Sequence, residues 1–414
     1  MPEQQKAAAL ILQGTSDYNA LSGLNHELAL AFRARGLEPV MVDLLDKSRM
    51  MEDINRALKE YGQSRILAAF SFSGMGIQLE DNQGNLWQRL RLPVVSWLID
   101  HPAYYLKRHS YPSPAIMRLY TTKDFLEFNR DYVKAPFRTA YCPLGAMGYG
   151  KEPQSRELKP GAAPLILFPK SLGQPALLEE RWSYLPFHMR RIIFGAIDHY
   201  WDTTPRSGGV TASVLAAADA VGLELRNDLT LFSFFIAQLD HYIRGRKSHI
   251  LAKELLKLPV RIYSKDSGGL DTEGAKALIM KPVNYDAMMD LFHEALAVVS
   301  VNPNIDDQTH DRVYSSFGSG ALPVTDINPW WRQNYPELLP YSYDFRDKPV
   351  TAAIEKVLAD PAAAADAAWQ AGAKMRTARP WKKMVEEAVE WALVMRYFAF
   401  NFITPVEGYV RHEE

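Results

Sequence analysis

The chain has 414 residues, with 47 Lys+Arg against 48 Asp+Glu and a formal charge of −1; at roughly 150 residues per domain it makes two or three domains. That balance gives no electrostatic reason to expect general nucleic-acid binding, which needs a basic face, and leaves room only for a local basic patch. With 47% hydrophobic and 23% charged residues there is enough apolar side chain to offset ordering entropy, which excludes disorder over most of the length.

A single cysteine, Cys142, excludes an intramolecular disulfide and a multi-cysteine zinc site. It fits a reducing compartment, so the expected location is cytoplasmic. The opening MPEQQKAAALILQG has too short an apolar run for a signal peptide and reads as a first strand. No apolar stretch reaches about 18 residues without a charged or polar break, so no transmembrane segment is expected.

In chain order, Ala8–Leu12 is continuously apolar, as a strand buried on both faces should be. A helix follows over Gly23–Arg35, ended by Gly36. Pro39–Leu44 is a second strand, Met51–Tyr61 a helix, and Arg65–Ser71 and Pro93–Ile99 further strands. Leu119–Thr121 and Thr139–Cys142 complete the series. Such alternation predicts a parallel sheet with helices on both faces.

The Pro/Gly/charge-rich run Gly145–Pro164 is the best linker. Pro164–Pro169 (PLILFP) is the next buried strand, and residues 176–258 read as mainly helical. Strand patterns return at Val260–Tyr263, Ala277–Met280, Ala297–Val301 and Leu322–Thr325. Helices are expected over Asp311–Gly318, Ala352–Leu358, Asp360–Ala373 and Met384–Phe398. The domain reading is 1–150, then 164–383, then a last helix over 384–414.

Chemistry is expected at strand carboxyl ends, where open α/β sheets bind ligands. After the first strand, the loop from Gly14 to Gly23, including Ser16, offers small residues to an anion at a helix N-terminus. Its spacing is not a dinucleotide fingerprint. After the third comes SFSGMG, with Ser73 and Gly74. WLIDHP ends a strand in Asp100 and His101, general-base candidates because imidazole titrates near neutrality and a part-buried carboxylate is tunable. After VRIY come Ser264 and Lys265, the latter a point charge for phosphate.

The richest segment is VVSVNPNIDDQTHDRVYSSFGSGALPVTD. A buried strand runs into Asn302 and Asn304, His310 and Arg312 enter a helix, Ser319 and Gly320 end it, and another strand leads to Asp326. A helix N-terminus beside an arginine suits phosphate or diphosphate.

This segment resembles the donor-binding motif of bacterial glycosyltransferases of the GT-B fold, in particular the group similar to spore-coat CgeB proteins. The matching parts are Val299–Asn302, Arg312 opening a helix, the small-residue break Gly318–Gly320, and Thr325-Asp326. LWQRLRLPVVSWLIDHP is similar to part of the first domain of such enzymes. Where the family has R-x-F-E, this chain has Arg312-Val313-Tyr314-Ser315, so Tyr314 fills the aromatic position and Ser315 replaces the ribose-binding acid.

The resemblance implies an α/β fold of two Rossmann-like domains facing a cleft, with extra helices in the C-terminal half. It also implies a metal-independent enzyme that moves a sugar from a nucleotide-sugar donor to an unknown acceptor, whether protein, glycan or lipid. The donor residues would be Ser264, Lys265, Asn302, Asn304, His310, Arg312, Tyr314, Ser319, Gly320 and Asp326. Asp100 and His101 would be catalytic, and Gly14, Ser16, Ser73 and Gly74 would form acceptor or cleft loops. No cofactor is expected beyond the nucleotide sugar as co-substrate, no D-x-D triplet occurs, and the last helix would cross back to the N-terminal domain. The alternative is a non-catalytic nucleotide-sugar or glycan-binding subunit. Residues 176–258 could be an inserted layer, a homodimer contact or an acceptor platform.

Overall fold

The computed structural model describes residues 6–15, 20–134, 138–156, 163–203 and 209–400. The chain divides into two compact units, one of Met1–Gly145 with Arg379–Glu414, the other of Ala146–Ala378. Each is a helix-flanked parallel sheet, so the expected α/β class with parallel sheets is the class found.

The first unit contains β1 (Ala7–Gln13), β2 (Leu37–Asp43), β3 (Ile66–Phe72), a small hairpin of β4 (Glu80–Asp81) and β5 (Gly84–Asn85), then β6 (Val94–Leu98), β7 (Ile116–Tyr120) and β8 (Thr139–Tyr141). Its main sheet runs β2-β1-β3-β6-β7-β8. All pairings in it are parallel. β3 is buried at every position, which is why its sequence shows an unbroken apolar run and no alternation. The order reverses between β1 and β3, so a crevice is expected just past Gln13 and Phe72.

Local rules place the flanking helices. Asp46 caps the helix Lys47–Tyr61 by accepting from Ser48 N at 2.9 Å and Arg49 N at 3.1 Å. The chain's last described helix, Trp381–Phe400, belongs to this unit. Trp381 stacks on Trp97 at 5.2 Å between ring centroids and donates its indole N–H to Glu27 O at 3.0 Å. The buried guanidinium of Arg396 donates to Ile66 O at 2.5 Å and Leu67 O at 3.3 Å.

The second unit contains β9 (Ile166–Pro169), β10 (Arg261–Tyr263), β11 (Leu278–Met280), β12 (Ala297–Ser300) and β13 (Leu322–Thr325), in the order β11-β10-β9-β12-β13. This is the doubly wound half-order, and its switch point falls between β9 and β12. Between β9 and β10 the described residues include the α-helices Pro175–Trp182, Phe187–Thr203, Gly209–Asp219 and Leu229–Leu255. The last is 27 residues long and capped by Asp228, which accepts from Leu231 N at 2.9 Å. Among the described residues no helix is long and apolar enough to cross a membrane.

Candidate functional site

The polar groups of the second unit gather at its switch point. Lys170 directly follows β9, Asn302 and Asn304 follow β12, Asp326 follows β13, and the helix Asp311–Ser319 begins there. The long helix Leu229–Leu255 contributes Asp240, Arg244 and Lys247.

Two buried networks build the floor. Lys247 Nζ lies 3.5 Å from Asp326 Oδ2, and Asp326 Oδ1 accepts from Asn302 N at 2.6 Å. Burial alone disfavours the Lys247 ammonium, but Tyr200 and Asp326 hold its pKa above the usual lysine range. Asn304 has φ +60°, accepts from Tyr200 Oη at 2.8 Å and donates to Asp240 Oδ1 at 2.7 Å. Asn302 donates to Gln308 O at 3.3 Å and accepts from Ile305 N at 3.0 Å. Both asparagine side chains thus hold the loop after β12 in shape. A small cavity of about 30 Å³ beside Tyr200, Lys247 and Asn304 has room for about one water.

Above that floor sits a cationic cluster. Lys170, Arg244 and Arg312 are close enough that burial first, then the two guanidiniums, push the Lys170 ammonium well below the usual lysine range. Asp240 and Asp311 offset part of this charge. Arg244 Nη1 lies 3.5 Å from Asp240 Oδ2. At the helix start, Arg312 N donates to Asp311 Oδ1 at 2.8 Å and lies 3.1 Å from His310 Nδ1. Arg312 Nη1 lies 3.2 Å from His310 Nε2, and His310 Nδ1 pairs with the Asp311 carboxylate. Burial pushes the His310 imidazole down to about 4, so it is neutral near pH 7. Cations beside a helix N-terminus suit a polyanion such as a diphosphate.

Other expected donor residues have structural duties. Lys265 is exposed. Ser264 is buried, with its Oγ accepting from Leu172 N at 3.1 Å. Tyr314 donates to Gln308 Oε1 at 2.6 Å inside the core, and Ser319 Oγ donates to Ser315 O at 2.8 Å. Gly320, at φ +81°, ends the helix, and a Cβ there would sit 2.8 Å from Gln154 O.

The switch point of the first unit carries its own polar group. Ser73, at φ +51° just past β3, donates to Asp100 Oδ2 at 2.8 Å, and Arg108 Nη1 donates to Ser73 O at 2.7 Å. Gly74, at φ +70°, lies where a Cβ would meet Arg108 Cβ at 3.1 Å. A Cβ on Gly14 would overlap the Met75 sulfur, so that glycine serves close packing. Ser16 lies outside the described residues. His101 differs from the expectation of an accessible base: it is buried, its ring packs edge-on against Phe125 and Phe128, and its Nδ1 accepts from Ala103 N at 3.1 Å. The proline after it starts a short helical turn, and the imidazole caps that turn.

Among the described residues no group of three or more His, Cys, Asp or Glu side chains is placed to hold a metal ion. No family model matches the sequence, and no curated protein matches it. Solved structures do resemble the fold. A glycosyltransferase from Rickettsia africae ESF-5 is 8% identical, with 94% of this chain and 98% of that one covered at a TM-score of 0.46. Sucrose-phosphate synthase from Thermosynechococcus elongatus is 11% identical, with 95% and 100% covered at 0.47. Anabaena HepE, solved with UDP and glucose, is 9% identical, with 94% and 100% covered at 0.43.

Proposed function

We propose that the protein is a glycosyltransferase of the GT-B kind, and that its second unit grips the diphosphate of a nucleotide-sugar donor. The observation that carries this reading is the grouping of Lys170, Arg244 and Arg312 around the start of the helix Asp311–Ser319, at the switch point of a doubly wound sheet. A leaving diphosphate gains negative charge as the glycosidic bond breaks, and preoriented cations and N–H groups stabilise it there. The sugar, the base and the acceptor belong to the same proposal only as classes: a hexose or related donor, and an acceptor hydroxyl. Asp100, bonded to Ser73 in the first unit, is the candidate to take up the acceptor proton.

One observation favours a second reading, a nucleotide-sugar-binding subunit without catalysis. Ser315 is buried and carries no carboxylate for the donor ribose.

Screening UDP-, GDP-, TDP- and CMP-sugars by thermal shift tests binding, since a ligand of the native state raises its midpoint. Nucleotide release in the same samples separates the two readings. A midpoint that no nucleotide raises, or one raised equally in Arg312→Ala, would overturn the diphosphate site.

A further inference from the structure

A cavity of about 610 Å³ lies in the inserted helices of the second unit and plays no part in the reading above. It is a groove between the helices Phe187–Thr203 and Gly209–Asp219. Gly195 makes the floor: even a Cβ there would meet Ala217 Cβ at 3.4 Å, so the two helices approach closely and the alanines leave space above them. Phe187 and Phe194 form the walls and are 68% and 42% exposed, an unusual cost for large aromatic side chains. Phe194 is backed by the buried Trp182, at 6.0 Å between centroids, which holds it in place.

Charge in the groove has one sign. The charged residues that line it are Arg190 and Arg191, and among the described residues no acidic residue does. Among the described residues no ion pair engages either guanidinium. Arg190 Nε is buried and has no hydrogen-bond partner there. A buried donor left without a partner costs free energy, and Arg190 itself lines the groove. Arg191 is held over the Phe187 ring, 5.9 Å from its centroid, at the groove's rim. The volume is that of a small-molecule site, with mostly apolar walls and a few polar groups that fix orientation.

We propose that this groove binds a single-chain amphiphile, with its apolar chain between Phe187, Phe194 and the alanine floor and its anionic phosphate or carboxylate head on Arg190 and Arg191. The charge complementarity selects the head, and the exposed aromatic walls select the chain. The site is independent of the nucleotide reading, because none of its residues belongs to the cationic cluster.

The test uses the full-length protein and decyl phosphate below its micelle concentration, with decanol and inorganic phosphate as controls, followed by calorimetry. Saturable binding at one site per chain is expected, with decanol and phosphate each about tenfold weaker or more, the scale of one charge-assisted contact or one buried chain. Arg190→Gln should weaken decyl phosphate about tenfold. Ala220→Trp, which fills the groove from its exposed end, should abolish binding while leaving the melting midpoint near the parent's. UDP should not compete. Equal affinity for decanol, or unchanged binding in both variants, overturns the proposal. Binding confined to anionic vesicles would instead assign the groove to a membrane surface, and a dimer that Ala220→Trp converts to monomer would assign it to a second copy; either result overturns the amphiphile site.

Discussion

Lys247 and Asp326 form an ion pair, Nζ to Oδ2 at 3.5 Å, with side-chain exposures of 4% and 10%. The lysine comes from the 27-residue inserted helix and the aspartate from the end of β13, so one contact ties the insertion to the sheet at its ligand-binding edge. Removing one partner of such a pair leaves a buried charge uncompensated, at a cost of about 3–5 kcal/mol. Lys247→Met should therefore lower the urea midpoint of the second unit markedly. Lys247→Met with Asp326→Asn should recover part of the loss, since the amide oxygen still accepts from Asn302 N. If Lys247→Met alone unfolds at the parent's urea concentration, the pair is not what fixes the helix there.

The Lys170 ammonium is the pH-sensitive member of the cationic cluster. Burial and the neighbouring guanidiniums push its pKa well below the ordinary lysine value. It therefore sheds its proton, and with it a share of anion affinity, in a pH range where an exposed lysine stays charged. A bound diphosphate favours the ammonium, so binding should take up protons. Calorimetry with UDP in buffers of different ionisation enthalpy reads this directly. Lys170→Arg should abolish the uptake and flatten affinity on the alkaline side, because a guanidinium does not titrate there. An identical proton count in parent and variant would remove Lys170 from the anion site.

Gly318 shows why a small-residue break follows Arg312. A Cβ at this position would overlap the backbone carbonyl of Met147, which cannot move aside as a flexible side chain could. Gly318→Ala should destabilise the second unit by about 1–3 kcal/mol, the scale of overpacking. Ser319→Ala, which removes only a hydroxyl bonded to Ser315 O, should cost less. Chemical denaturation of both variants checks the order. The reverse ranking would mean that the glycine serves something other than this close approach.

The fully buried strands were legible because a helix-flanked parallel sheet covers them on both faces. AAALILQ, ILAAFSF and LPVT are apolar runs with no alternation to confuse them. Asn302, Asn304, Arg312 and Asp326 were legible as polar groups crowded at strand ends. The duties of the asparagines were not, since closing a loop and meeting a ligand call for the same amide. Lys170 carried a readable signal, a cation directly after the buried strand PLILFP, and the same question asked of Lys265 finds it. Arg244 and Lys247 carried none: on a long helix, basic residues three apart look like a solvated face until the tertiary fold shows what they meet. His101 was misplaced for a related reason, because a titratable ring that caps a turn inside the core has the same local sequence as one open to substrate.

His109 makes the first unit sensitive to acid. Its ring is 1% exposed and its Nδ1 lies 2.9 Å from Tyr120 Oη. Burial pushes its pKa down to about 3, with Arg118 acting in the same direction. An unfolded histidine titrates near about 6.5. Above that value both states are neutral at this position and the residue adds no pH dependence. As pH falls below it, the unfolded chain takes a proton that the folded unit refuses, so stability is lost progressively down to about pH 3. The loss is bounded at several kcal/mol by the size of the shift. In His109→Gln, whose amide can still meet Tyr120 Oη, the melting midpoint of this unit should fall less steeply between pH 6.5 and 4 than in the parent. Parallel curves for the two proteins over that range would show that the imidazole is protonated in the folded unit after all.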